Sequence, residues 1–327
     1  MIAAILAVTL LAGVQAFAPS ANFGARLAST RLQQSGPPPG TPANAKPTFD
    51  GTWRVPGDHP EEYVLEMESG ARAVIRTHGC NVFTWKTKEG IEVMGKRADA
   101  ADITKDEKPY AGGNPHCFPQ FGPGAILQHG FARGMEFIPE ERAKKLSFDR
   151  MIFKLVPTEE SKAIWDENFE YRVDVTLREN SLEWDVIVIN LGTAPYDCTL
   201  GMHTYLDVSS LSNVVINGPF TGKTTIDKVT GATGTASSDE LKITAPIDMA
   251  FKDCKGPITI TDSVKKTKIT VESKGYPDMV VWNPHGDAAM GYDKFVCVEP
   301  VQMDPISIPP GKFKETKFYQ KVSYEVL

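Results

Sequence analysis

A glutamate closes one of the most apolar runs in the chain, Phe295-Val296-Cys297-Val298-Glu299-Pro300. An ionised carboxylate there is costly unless it is paired, exposed at a strand end or used in catalysis. A histidine holds a similar position in Met202-His203-Thr204-Tyr205-Leu206, directly after a strand-like stretch. Gln128-His129-Gly130-Phe131-Ala132-Arg133 places an amide, an imidazole and a guanidinium close together. Before it runs Lys108 to Gly124, with four prolines and four glycines interleaved with aromatics. That composition excludes a regular strand or helix and suits a rigid, aromatic-lined pocket wall. Val281-Trp282-Asn283-Pro284-His285 adds one more aromatic and polar cluster. Isolated groups of this kind, set at strand ends, can move protons or hold polar ligands. Each also has a plainer reading. A single histidine is as readily a hydrogen-bonded, partly buried side chain, Glu299 a strand-end carboxylate facing water, and Arg133 a surface or salt-bridge residue.

The common signatures of other chemistries are absent. There is no H-E-x-x-H, no G-x-S-x-G and no dinucleotide-binding glycine fingerprint. Gly222-Lys223-Thr224 resembles the end of a phosphate-binding loop, but Asn217 stands where that motif needs glycine, so it reads as a turn. The five cysteines, Cys80, Cys117, Cys198, Cys254 and Cys297, form no C-x-x-C pair. This argues against a structural zinc site and for buried free thiols.

The elements that must position these residues are strands. Tyr171 to Arg178 alternates, with Val173, Val175 and Leu177 on one side, and Leu182, Trp184, Val186 and Val188 repeat the period of two. Ala73–Ile75, Val214–Ile216, Ile258–Ile260 and Ile269–Val271 are short β-branched runs. Val280–Trp282 and Phe295–Val298 have the look of strands buried on both faces. Turn signals separate the runs at Glu179-Asn180-Ser181, Asn217-Gly218-Pro219 and Lys274-Gly275-Tyr276-Pro277. Only Thr158 to Phe169 has a helical pattern. Many short strands with turns between them indicate an all-β sandwich or barrel. No linker interrupts the chain after residue 47, so residues 47–327 read as one large domain.

The chain has 327 residues, 41% hydrophobic and 23% charged, the composition of an ordinary globular protein. Its net charge is 35 − 41 = −6, which speaks against a nucleic-acid partner. Ile2 to Val14 is an apolar run too short to span a bilayer but right for a signal-peptide core, with Val14-Gln15-Ala16 as a small-residue cleavage site. No acidic residue occurs before Asp50, while Arg26, Arg31, Lys46 and several hydroxyls do. Residues 1–16 then read as a signal peptide and 17–46 as a transit peptide ending in the Pro/Gly-rich linker Gln33–Pro47. With Phe17-Ala18-Pro19 at the junction, the pair resembles the bipartite plastid presequence of algae with complex plastids. Secretion is the alternative; the odd cysteine count and the missing N-x-S/T sequon lean against it. Removing residues 1–46 takes away three basic residues and leaves 32 − 41 = −9, with no membrane segment in the mature form.

Five motifs in order carry a family resemblance: G-G-x-P-x-C-F-P-Q-F-G from Gly112, Q-H-G-F-A-R from Gln128, H-T-Y at His203, W-N-P at Trp282 and F-V-C-V-E-P from Phe295. The chain resembles the hexose-6-phosphate mutarotases, the glucose-6-phosphate 1-epimerases of the aldose 1-epimerase superfamily. The likeness is greatest to the plastid-type plant members and covers about residue 60 to the C-terminus. It implies the galactose-mutarotase-like β-supersandwich, a small-molecule sugar phosphate as substrate, and neither metal nor organic cofactor; a monomer is expected. It implies His203 as catalytic acid and Glu299 as catalytic base for opening and reclosing the sugar ring. Gln128, Arg133 and Asp248 match positions that hold sugar hydroxyls or phosphate, and His129 beside them orients the substrate or the loop. Two departures bear on substrate. Ala111 stands where most members have the arginine that forms half of a phosphate clamp, and Met249 follows Asp248 where many have arginine. Lys108 is a possible substitute. Other readings are a mutarotase of a neutral or differently phosphorylated sugar, and a non-catalytic sugar-binding or assembly subunit on the same fold.

Overall fold

The computed structural model describes residues 62–100 and 109–327. Residues 1–47, where the presequence and linker are expected, and Lys108 lie outside the described residues. The fold is built almost wholly from twenty strands, in sheets of three, eight and nine.

The alternating segments become the middle of the nine-stranded sheet. Phe169–Arg178 and Ser181–Asn190 form a ten-residue hairpin pair around the Glu179-Asn180 turn. Their inward residues, Phe169, Tyr171, Val173, Val175, Leu177, Leu182, Trp184, Val186 and Val188, are fully buried. Phe148–Leu155 continues this sheet on one side, and Glu315–Val326 and Thr267–Lys274 on the other. The helix falls inside the expected segment but is only Glu159–Ile164. Thr158 caps it, with Thr158 and Ser161 each bonding the other's backbone N–H. No helix among the described residues is long and apolar enough to cross a membrane.

The eight-stranded sheet carries the candidate site. Its central strand, Phe295–Ile308, is flanked by Asp278–Asn283, by Tyr196–Met202 and by the short Tyr205–Asp207. Ile247–Phe251 and Thr224–Asp227 extend it beyond Asp278–Asn283. Its central strands, Asp278–Asn283 and the first half of Phe295–Ile308, are buried on both faces, which is why they are apolar runs rather than alternating ones. Val296, Val298, Met279 and Val281 join the main core with the inward residues of the nine-stranded sheet. Cys117, Phe121, Ala250, Val280 and Val301 form a second cluster on the opposite face. Glu299 projects on that second face, because successive side chains in a strand alternate.

The Pro/Gly-rich loop departs from expectation at one point: His116–Cys117 is a two-residue strand paired with Met202 and Gly201. Two residues are too few to leave a periodic signal. The pairing is imposed by the neighbouring strand and ties the loop to His203, whose N–H donates to the Pro115 carbonyl at 2.9 Å. All five cysteines are free and buried.

Candidate active site

The register of the sheet gathers the site. Asp248 pairs with Trp282, Trp282 with Cys297, and Cys297 with Tyr205. Paired residues of antiparallel strands share a face, so these four stand in one row. Val280 pairs with Glu299 and Ala250 with Val280, making an apolar row beside it. Glu299 is thus surrounded by sheet, and only 2% of it is exposed.

His203 comes to Glu299 from the end of Tyr196–Met202. Its Nε2 lies 3.5 Å from Glu299 Oε1, a close contact longer than a normal hydrogen bond. Tyr205 stacks on the imidazole, with ring centroids 4.8 Å apart and planes 15° apart, and the Trp282 and His129 rings meet it nearly edge-on. Behind it, buried Thr204 accepts hydrogen bonds from Gln320 at 2.7 Å and Asn114 at 3.1 Å. Asn81 holds the Gly112-Gly113 turn, donating to the Gly112 carbonyl at 3.0 Å and accepting from Asn114 N–H at 2.9 Å. This amide network fixes the walls on both sides of His203.

His129 and Gly130 both adopt left-handed backbone, with φ of 65° and 67°. At Gly130 a Cβ would lie 2.2 Å from the Phe118 carbonyl oxygen, so only glycine permits the turn. The turn directs His129 inward. Its Nδ1 accepts from Gly122 N–H at 3.3 Å and lies 3.3 Å from Cys117 Sγ, which fixes the ring's orientation. Gln128 is exposed, and its carbonyl accepts from Arg133 Nη2 at 2.8 Å. Arg133 is half-buried, so the two sit at the rim while His129 lines the wall.

Asp248 is paired to Lys228, Nζ to Oδ1 at 3.1 Å. Lys228 Nζ also lies 5.0 Å from the centre of the Phe121 ring, which in turn packs edge-on against His129. Lys228 therefore belongs to the site, although nothing near it in sequence signals this. Cys297 also belongs, and the period of two from Glu299 could have found it. Histidines 116 and 285 do not take part. His116 is buried against the Tyr171 hydroxyl at 3.1 Å and His285 packs on Tyr292.

The electrostatics follow from dryness. Burial pushes the Glu299 carboxyl up to about 8, with Lys228 opposing and Asp248 reinforcing the shift. Burial also holds the His203 imidazole well below its usual 6.5, helped by His129, Arg133 and Lys228. His129 falls to about 4, again through burial first and then Arg133 and Lys228. Both shifts run against the charged forms, so the dry surroundings favour a protonated carboxyl beside a neutral imidazole, the reverse of the ionised pair implied by residue type. A carboxyl and an imidazole in contact, sharing one proton in a water-poor pocket, are equipped for general acid–base chemistry. Arg133 and Lys228 both bias the imidazole, and Lys228 biases the carboxyl as well.

Comparison with known proteins identifies the family. The aldose 1-epimerase family matches residues 61–319. A provisionally named glucose-6-phosphate 1-epimerase of Cenchrus ciliaris is 32% identical over 272 residues, 77% of this chain and 82% of the relative. A protein of Escherichia coli (strain K12) with the same provisional name is 26% identical over 261 residues, 74% of this chain and 80% of that one. The crystal structure of a provisionally named mutarotase from Salmonella typhimurium superposes with a TM-score of 0.74 at 22% identity, covering 83% of this chain and 92% of that chain. The fold is accordingly the galactose-mutarotase-like sandwich that the resemblance implied, in keeping with the all-β strand pattern. With the match running through every strand that builds the pocket, the chain belongs to the aldose 1-epimerase family and is a sugar mutarotase, an isomerase.

Proposed function

We propose that the enzyme interconverts the α and β anomers of a hexose 6-phosphate, glucose 6-phosphate foremost, with Glu299 and His203 as the proton-transfer pair. The observation that carries this reading is the 3.5 Å contact between His203 Nε2 and Glu299 Oε1, with Arg133 and Lys228 close enough to act on the imidazole. The Glu299 carboxylate takes the proton of the C1 hydroxyl while the His203 imidazolium protonates the ring oxygen. The bond from C1 to the ring oxygen breaks, leaving the free aldehyde. Rotation about C1–C2 presents the other face, and closure reverses both transfers.

The pair therefore alternates between two partitions of one proton. The neutral partition, favoured in the free enzyme, is the one it holds while the sugar is open. The charged partition is the one that opens the ring. Arg133 and Lys228 both disfavour an imidazolium at His203. A phosphate dianion paired with them offsets that effect and brings the two partitions closer. In this role Lys228 supplies the second cation that Ala111 does not. Gln128, His129 and Asp248 then line the sugar's path, Asp248 exchanging its bond to Lys228 for sugar hydroxyls.

A second reading, a neutral sugar, is favoured by the Lys228–Asp248 pair, which already neutralises one cation. Anomer exchange measured by NMR on glucose 6-phosphate and on glucose separates the two. A kcat/KM at least tenfold higher for the phosphate supports the first reading, and parity or preference for glucose overturns it. For residues 1–46 we propose delivery to a plastid, on the strength of the apolar run, Phe17-Ala18-Pro19 and the acid-free stretch.

A further inference from the structure

The pocket face holds a third strong donor that proton transfer does not use. Cys297 precedes Glu299 by two residues on the same strand, so its thiol projects on the same side. It is free and fully buried. One donor atom each from His203, Cys297 and Glu299 lies within 4.8 Å of the other two. A tetrahedral zinc ion, with bonds of about 2.0–2.3 Å, sets its ligand atoms roughly 3.3–3.6 Å apart. The imidazole–carboxylate separation of 3.5 Å already has that value. The other separations, at most 4.8 Å, need to close by up to about 1.5 Å to reach that value.

We propose that His203, Cys297 and Glu299 form a binding site for a borderline-soft divalent cation, zinc foremost, and that the bound ion inhibits the enzyme. The donor set sets the class of ion. Sulfur and imidazole suit zinc and its late-transition neighbours, whereas magnesium and calcium require six or more oxygens. The donors are held by packing: His203 lies between Tyr205 and Trp282, and Cys297 and Glu299 stand on the central strand. Three protein ligands leave a fourth position for water. As the ion binds, the Cys297 thiol proton and the Glu299 carboxyl proton both leave to buffer. Inhibition follows because the ion occupies the lone pairs through which Glu299 and His203 exchange protons with the sugar. This consequence rests on the function proposed above, whereas binding does not.

The test uses the untagged full chain, stripped with a chelator and titrated first with cobalt(II). Native protein should show a near-ultraviolet thiolate-to-cobalt band at one ion per chain, abolished by adding zinc. Cys297→Ser should lose the band and weaken zinc binding at least about tenfold, as losing one ligand requires. Cys198→Ser, on a buried thiol that packs in the main core, should change neither. Cys297→Val, suited to an apolar strand, repeats the test if the serine variant folds poorly. Anomer exchange should fall in step with zinc occupancy, recover on chelation, and resist the same zinc concentration in the Cys297 variants. Absence of the band, or its survival in both variants, overturns the site. Binding that depends on Cys297 but leaves exchange untouched keeps the site and overturns the assignment of His203 and Glu299 as the proton-transfer pair.

Discussion

Glu299→Gln should abolish anomer exchange and at the same time make the fold more stable, by an amount that grows with pH. Burial lifts the carboxyl from an ordinary 4.5 to about 8. A carboxyl that holds its proton more tightly when folded stabilises the fold fully below pH 4.5 and loses that contribution as pH rises through about 8. Between pH 5 and pH 8 the loss comes to roughly 3 kcal/mol, at about 1.4 kcal/mol per pH unit over most of that range. Glutamine does not titrate and escapes the loss. Its amide is no better hydrogen-bonded than the acid it replaces, so near pH 5 the two proteins should agree in stability within about 1 kcal/mol. At pH 8 the variant should lead by roughly 3 kcal/mol, or about 6 °C in Tm for a domain of this size. Thermal melts by circular dichroism at pH 5, 6.5 and 8, run beside NMR exchange on the same samples, measure both effects. A Tm difference that does not widen from pH 5 to pH 8 would refute the claim that the pocket holds Glu299 protonated. Wild-type exchange in the variant would refute its role as base.

Other consequences can be checked with the same tools. The one-proton pair should give a bell-shaped kcat/KM profile, falling as pH rises through about 8 when Glu299 loses its proton, and falling on the acid side only well below 6.5, where His203 gains a second one; an acid limb at 6.5 or above would contradict the dryness of His203. Arg133→Ala should raise KM for glucose 6-phosphate about tenfold or more, the worth of a charge-assisted bond, and change KM for glucose less than about threefold; equal losses on both sugars would remove Arg133 from phosphate recognition. Gly130→Ala, forced against the Phe118 carbonyl at positive φ, should cost roughly 2–4 kcal/mol in a denaturant melt and misplace His129; an unchanged midpoint would mean the turn has room that the geometry denies. Residues 1–46 fused to a fluorescent protein should direct it to the plastid of a host with a complex plastid, and accumulation in the medium would refute that reading.

The strands were legible because each writes its burial into a few consecutive residues. Val173, Val175 and Leu177 alternate, and Val296, Val298 and their neighbours run continuously. The sequence also revealed that Glu299 and His203 were expensive where they stood. Three aspects of the site went unread. Lys228 enters through the pairing of Thr224–Asp227 with Ile247–Phe251 and of that strand with Asp278–Asn283. Such registers depend on residues tens of positions apart, and no local pattern encodes them. Cys297 was within reach, since a period of two places it beside Glu299, yet a cysteine in an apolar run reads as one more small hydrophobe. The position of the proton was illegible in principle. Residue type assigns a charged carboxylate and a charged imidazole, and only the sum of walls from both sheets and the Pro/Gly-rich loop reverses that partition.

That reversal bears on how the proposed reaction uses its substrate. An ion pair in contact would seem the simplest acid–base device, but in this pocket both charges have lost their water. Arg133 and Lys228 add a further penalty on the imidazolium. Both effects favour the neutral partition in the free enzyme, one proton transfer away from the form that opens a ring. The sugar's phosphate, several bonds from C1, carries the charge that counters both cations. Its binding energy then acts on the proton partition and not only on occupancy, so the phosphate contributes to kcat as well as to KM. Under this logic the second cation need not occupy position 111, where Ala111 offers none. It must lie close enough to His203 to penalise the imidazolium before the phosphate arrives and to release it afterwards, and Lys228, held by Asp248 above the Phe121 ring, meets that condition.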